Sequence, residues 1–141
     1  REMGEAGISM ESHTLSQVEL AGLPRGELCN QLMWGKLATE WKTLKFVKYM
    51  AYPCGTMDEA SMAAVKDCGY DGGFTVRYDL VHSWDDPYEI PRVPIFGNFE
   101  GSFMRFKLRL HGAPLFGRLE RLRKYLLNNG HSTLATLFYL P

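Results

Sequence analysis

Cysteine is scarce in this chain. Cys29, Cys54 and Cys68 form no Cys-x-x-Cys pair, and an odd number cannot close a full disulfide framework. Both a disulfide-stapled scaffold and a cysteine zinc ribbon are thereby disfavoured. Charge of one sign is lacking as well: 16 Lys and Arg balance 16 Asp and Glu. That balance gives no electrostatic case for nucleic acid or an anionic membrane surface as partner. No apolar run approaches the roughly 20 residues of a membrane-spanning helix. Internal repeats and low-complexity tracts are missing too, and no signal peptide is visible. The chain opens on Arg1 rather than Met, which raises the expectation of a natural start further upstream.

What is present is a globular composition. Hydrophobic residues make up 45% and aromatics 13% of 141 residues, enough for one domain with a buried core. The expectation is a single domain over 1–141. Its elements alternate in the βα manner. Ile8–Ser12 reads as a short strand. Pro24 opens a helix to about Thr43, with Leu28, Leu32, Gly35 and Thr39 along one stripe and Leu37 and Trp41 beside it. Phe46–Tyr52 reads as a strand ended by Pro53 and Gly55. Thr56 and Glu59 have capping-box spacing for a helix that ends at Cys68, with Gly69 as its left-handed stop. Gly73–Val76 is a further strand and Arg77–Ile90 a polar loop. Arg92–Ile95 reads as an edge strand. Two helices follow, one capped by Ser102 with Phe103, Phe106 and Leu110, the other opened by Pro114 with Leu115, Leu119, Leu122 and Leu126. Thr133–Leu140 is a last strand or a tail. Such alternation implies a parallel sheet with ligand groups at the carboxyl ends of its strands.

Two short stretches carry the chemistry. The first is Glu11-Ser12-His13-Thr14-Leu15-Ser16-Gln17. A histidine and a second side chain four positions later, with a hydroxyl beside the histidine, is a compact ligand spacing. The second position, however, is an amide, and Gln17 is a poor ligand for zinc. The other stretch is Tyr52-Pro53-Cys54-Gly55. His13 and Tyr52-Pro53 fall at the ends of expected strands, so both lie on the face where a site would be built. Taken alone, His13 would read as a structural or surface histidine, and Tyr52–Gly55 as a strand-ending turn.

Together these stretches resemble the polysaccharide deacetylase family (NodB homology domains, carbohydrate esterase family 4). Ile8–Thr14 is similar to the strand entering its His-Thr/Ser-x-x-His motif. Leu23-Pro24-Arg25-Gly26-Glu27-Leu28 is similar to the start of the next helix. Met50–Gly55 is similar to its Phe-Ala-Tyr-Pro-aromatic-Gly segment. Val65–Tyr70 with Gly73-Phe74-Thr75, and Ile90-Pro91-Arg92-Val93-Pro94, complete the match over roughly residues 1 to 108. The resemblance implies an α/β fold: the later βα units of a distorted, incomplete (β/α) barrel of the NodB-like type.

It also implies metal-dependent hydrolysis of N-acetyl groups on hexosamine glycans, a hydrolase acting on non-peptide carbon–nitrogen bonds. In the family an Asp and two His hold zinc or another divalent metal, a second Asp is the base, and a further His is the acid. Carried over, His13 is the first histidine ligand and Gln17 stands at the second. Tyr52, Pro53, Cys54 and Gly55 form the wall that receives the N-acetylated glycan. Arg92 takes the place of the arginine that orients the catalytic carboxylate; otherwise it is an exposed arginine at a strand end.

Three departures stand out: no Asp-Asp motif precedes the histidine, Gln17 replaces a histidine, and Cys54 replaces an aromatic residue. They imply a shortened chain with weakened or lost metal binding and impaired hydrolysis. The alternative is a non-catalytic carbohydrate-binding or scaffold module. His82 and His111 are the remaining candidates for an acid. Asp85-Asp86 comes after the histidine motif and reads as a solvated turn, and Arg118, Arg121, Arg123 and Lys124 as a solvated basic face. An incomplete barrel leaves strand edges exposed, so a homo-oligomer or pairing with a missing N-terminal half is expected. The family often works in the cell envelope or is secreted.

Overall fold

The computed structural model describes residues 2–93 and 103–130, apart from the Arg105 side chain. The chain divides into two compact units, one holding 2–75 and 83–90, the other 76–82, 91–93 and 103–130. It is a mixed α/β protein. Helix α1 is Glu2–Glu5, α2 is Arg25–Thr43, strand β1 is Tyr49–Ala51, a 3-10 turn is Pro53–Gly55, α3 is Glu59–Asp67, β2 is Gly72–Phe74 and α4 is Phe103–Asn128.

In the first unit, four segments run parallel. Ser12 bridges to Met50, β1 pairs with β2, and Phe74 bridges to Ile90. The order of neighbours is therefore Ser12, β1, β2, Ile90. The strands are shorter than the sequence suggests. Of Ile8–Ser12 only Ser12 pairs, because the Glu11 carboxylate takes over the backbone next to it. That carboxylate accepts from the amides of Lys48 at 3.0 Å and Tyr49 at 2.9 Å, so a side chain satisfies donors that a longer neighbouring strand would have used. Phe46 and Lys48 accordingly lie outside β1.

Helix α2 matches its expected length. Its buried stripe is Leu28, Gln31, Leu32 and Gly35, the 3–4 spacing of one helix face. Leu28 and Leu32 join Leu20, Val47, Met50, Tyr52, Ala64, Val65 and Tyr70 in one core. Leu37 and Trp41 lie outside it and are exposed. Helix α3 stops at Asp67 with Gly69 left-handed at φ 71°, as its sequence requires. Its capping box is shifted by two residues. Asp58 caps the Ser61 amide at 2.8 Å and the Ser61 hydroxyl accepts from the Asp58 amide at 2.8 Å. Thr56 is turned away, donating to Glu19 at 3.1 Å. The carboxylate, which also accepts from Gly22 at 2.8 Å, is the stronger acceptor, and the Ser61 amide, then Gly22, hold Asp58 below the usual carboxylate range.

The second unit is built around α4. The two helices expected on either side of Gly112-Ala113-Pro114 are one, with Pro114 inside it. A proline there removes an amide bond and usually breaks a helix. The segment 78–79 acts as a splint across it. Tyr78 donates to the Arg109 carbonyl at 2.6 Å on one side, and its ring meets Phe116 edge-on at 5.5 Å on the other. Asp79, buried, pairs with Arg121. The buried residues of α4 are Ala113 and Gly117; of the expected leucine stripe, Leu115 and Leu122 are exposed while Leu119 and Leu126 are half-buried. Arg92 and Val93 form no strand, and Pro94, Ile95, Ser102 and Thr133–Leu140 lie outside the described residues.

The core carries a pH dependence. Burial pushes the Tyr70 phenol up from 10.0 to about 12. Its hydroxyl donates to the Leu32 carbonyl at 2.8 Å. The unfolded chain ionises first, so this stabilisation is complete below pH 10 and falls as pH rises toward 12, by about 1.4 kcal/mol per pH unit for each such group. Tyr52 acts in the same direction. Urea denaturation of Tyr70→Phe is expected to show a loss of about 1 kcal/mol at neutral pH from the missing hydrogen bond, with a flatter decline between pH 10 and 12 than the parent.

Candidate active site

His13 follows the bridged residue Ser12 and so sits at the carboxyl end of the parallel array. Its side chain is exposed and its Nδ1 lies 2.8 Å from the Ala51 carbonyl. A carbonyl oxygen only accepts, so Nδ1 carries a proton, and in the neutral ring Nε2 is then the bare nitrogen. This is the arrangement in which a second hydrogen bond fixes the ring and frees the other nitrogen as base or ligand.

The turn after His13 is strained and held from below. Thr14 and Gln17 have φ of 63° and 58°, the left-handed region that a β-branched residue avoids. Each such residue costs on the order of 1–3 kcal/mol and persists only where its surroundings over-determine it. Those surroundings are identifiable. The Gln17 amide donates to Thr14 Oγ1 at 3.0 Å. The Gln31 side-chain oxygen accepts from the Ser16 amide and hydroxyl, both at 3.1 Å, while its nitrogen donates to Glu27 at 3.0 Å. Gly35 lets the helix touch the turn: a Cβ there would come within 2.6 Å of the Thr14 carbonyl carbon. Gly35 had been legible only as a position on a helix stripe, and Gln31 had not been singled out. Their signal was a polar residue and a glycine on an otherwise apolar face.

The Tyr52–Gly55 segment divides by burial. Tyr52 and Pro53 are buried, Gly55 is half-buried and Cys54 is exposed. The Tyr52 ring therefore does not offer its face to a ligand; it anchors the loop. Its hydroxyl donates to the Tyr88 carbonyl at 2.9 Å, and a Cβ on Gly73 would lie 2.6 Å from its ring. Burial, then the charges of Asp86 and Glu89, push its phenol well up, so it stays a neutral donor. Cys54, at φ 56°, is a third strained residue.

Arg92 belongs to the second unit, exposed, with its amide donating to the Arg77 carbonyl at 2.9 Å. His111 lies on α4, its Nδ1 2.8 Å from the Lys107 carbonyl. Asp86 accepts from the Tyr88 amide at 2.8 Å, which makes Asp85-Asp86 the turn its sequence suggests. Among the described residues no three His, Cys, Asp or Glu come together as a metal site, and no helix is long and apolar enough to cross a membrane.

The family model for polysaccharide deacetylase matches residues 1–73. The chain belongs to the polysaccharide deacetylase family. The matched stretch takes in His13, Gln17 and Tyr52–Gly55 and ends before Arg92. A Bacillus subtilis (strain 168) protein, YxkH, assigned by name to the polysaccharide deacetylases, is 28% identical over 102 residues, covering 72% of this chain and 37% of its own length. Two solved structures share the fold. The Streptococcus pyogenes deacetylase PplD, in complex with acetate, superposes with TM-score 0.65 at 18% identity over 69% of this chain and 43% of its own. The Bacillus cereus polysaccharide deacetylase BC0361 gives TM-score 0.67 at 23% identity over 77% and 34%. The chain thus spans less than half the length of each of these relatives.

The support under the turn is testable. Gly35→Ala drives a methyl into the Thr14 backbone, and overpacking of this kind costs about 1–3 kcal/mol. Denaturant titration is expected to show that loss together with shifted His13 resonances. A neutral result would mean that the turn does not rest on α2.

Proposed function

We propose that this chain is the later part of a deacetylase domain, acting on or descended from enzymes acting on N-acetylated hexosamine glycans, and that both compact units belong to that one domain. The observation that carries the reading is His13. Its ring is oriented through Nδ1 by Ala51, on a strained turn at the carboxyl end of parallel strands, within the stretch that matches the family. The four parallel segments Ser12, β1, β2 and Ile90 support the later βα units of an incomplete barrel. The acetate complex of PplD and the named class of BC0361 support acetyl-group hydrolysis on a polysaccharide.

A catalytic zinc or similar divalent ion takes three protein ligands. The described residues do not fit that requirement: they bring one oriented imidazole and, at the second position, the amide of Gln17. The described residues alone therefore do not complete a catalytic metal centre. In this reading His13 Nε2 is an acceptor presented to the site. Cys54 and the backbone of Pro53–Gly55 line the glycan groove, with Tyr52 locking them from inside. Arg92 is the cation that pairs with a carboxylate. Gln17 also favours a second reading, a glycan-binding module that kept the groove and gave up the metal, because an amide retains hydrogen bonding to a sugar while losing the ligand.

Assay of acetate release from N-acetylglucosamine oligomers separates the readings. The expected result for the 141-residue chain is no release, since removing members of a catalytic unit costs orders of magnitude, with weak oligomer binding retained. Release that a chelator and His13→Ala both abolish would show the unit to be complete. Calorimetry with zinc is the companion test. Gln17→His is expected to tighten zinc binding by roughly tenfold or more, about 1.4 kcal/mol per decade, while an unchanged isotherm would mean that positions 13 and 17 do not converge.

A further inference from the structure

Two of the three cysteines lie on a packed helix pair that the deacetylase reading does not use: Cys29 in the second turn of α2 and Cys68 at the end of α3. Both are half-exposed free thiols. Two cross-helix contacts bracket them. Arg25, one turn before Cys29, donates to Asp67 at 2.8 Å. Lys36, two turns after Cys29, donates to the Gly69 carbonyl at 2.6 Å and lies 3.5 Å from the Cys68 carbonyl. The Tyr70 hydroxyl adds a third link to Leu32. Residues 67–70 are thus laid along α2 from Arg25 to Lys36, and Cys68 packs against the core that holds Leu28 and Leu32.

We propose that Cys29 and Cys68 form a dithiol–disulfide couple, oxidised by a small-molecule disulfide, that reversibly staples α3 to α2. The chemistry is ordinary exchange. One cysteine, as thiolate, attacks a sulfur of the oxidant; the oxidant's S–S bond breaks, a mixed disulfide forms and one small thiolate leaves. The second cysteine attacks the protein sulfur of that mixed disulfide and expels the second small thiolate. The protein loses two protons and two electrons, and the small disulfide gains both as two thiols. Burial, followed by the neighbouring Cys29, holds the Cys68 thiol above its ordinary range. Such a pair reacts slowly at neutral pH and faster as pH rises. The bond would tie down the helix that supports the His13 turn through Gln31 and Gly35. Cys54, exposed and apart in sequence, reacts singly.

The test is made on the Cys54→Ser chain treated with oxidised glutathione under native conditions, then alkylated and mapped by mass spectrometry. The expected result is loss of both alkylatable thiols, a peptide joining Cys29 to Cys68, no retained glutathione, and a rise of several degrees in the thermal midpoint that a reductant reverses. Cys29→Ser in the same background should leave Cys68 unable to expel glutathione, so its adduct persists. Stable adducts on both cysteines of the parent, or two thiols that remain alkylatable after oxidant treatment, overturn the proposal. The wild-type chain mapped in the same way supplies the result should Cys54→Ser fold poorly: Cys54 keeps an adduct while Cys29 and Cys68 join.

Discussion

The contact between helix α2 and the turn after His13 organises this molecule. At Gly35 the helix approaches the Thr14 backbone more closely than any side chain allows. One turn earlier, Gln31 accepts both hydrogen bonds that Ser16 offers. These contacts stabilise two left-handed residues, Thr14 and Gln17, in a segment too short to stabilise itself. The same helix buries Leu28 and Leu32 in the core, so the site turn rests on an element anchored in the core of the first unit. Strain at the turn is offset by burial beneath it, the usual relation between a functional loop and its scaffold.

The second functional stretch follows the same logic with an aromatic anchor. Tyr52 is neutral, buried and hydrogen-bonded to Tyr88, and the ring fits because Gly73 on the neighbouring strand leaves room for it. What reaches the surface is Cys54, held left-handed where the family pattern has an aromatic residue. A thiol offers far less apolar area than a ring for stacking on a sugar. In the proposed reading, Cys54 and Gln17 would both weaken ligand contact while leaving the scaffold intact, the pattern expected when a groove outlives part of its chemistry.

Much of this was legible in the sequence. The 3–4 spacing of Leu28, Leu32 and Gly35 placed α2, and Cys68-Gly69 placed the end of α3, because periodicity and left-handed stops are local signals. The His13 and Tyr52 motifs were visible for the same reason. Non-local effects were not. Glu11 shortens β1 by capping its amides through a contact thirty-seven residues away in sequence. Asp58 displaces Thr56 as cap because it also serves Gly22. Tyr78 and Asp79 splint α4 across Pro114, which no helix rule could supply. Gln31 drew no reading from the sequence, because its role depends on a partner, the Ser16 turn, fifteen residues away.

The orientation of His13 is the point on which the account turns, and its tautomer reports it directly. Two-bond proton–nitrogen correlation spectra, recorded at a pH where the imidazole is neutral, distinguish a protonated Nδ1 from a protonated Nε2. The expected spectrum shows Nδ1 protonated and hydrogen-bonded, with a bare Nε2, and loses that preference in Gln31→Ala, where the turn is no longer held. A ring that is mainly protonated at Nε2 in the parent chain, or that averages freely between the two tautomers, would contradict a histidine presented by its scaffold.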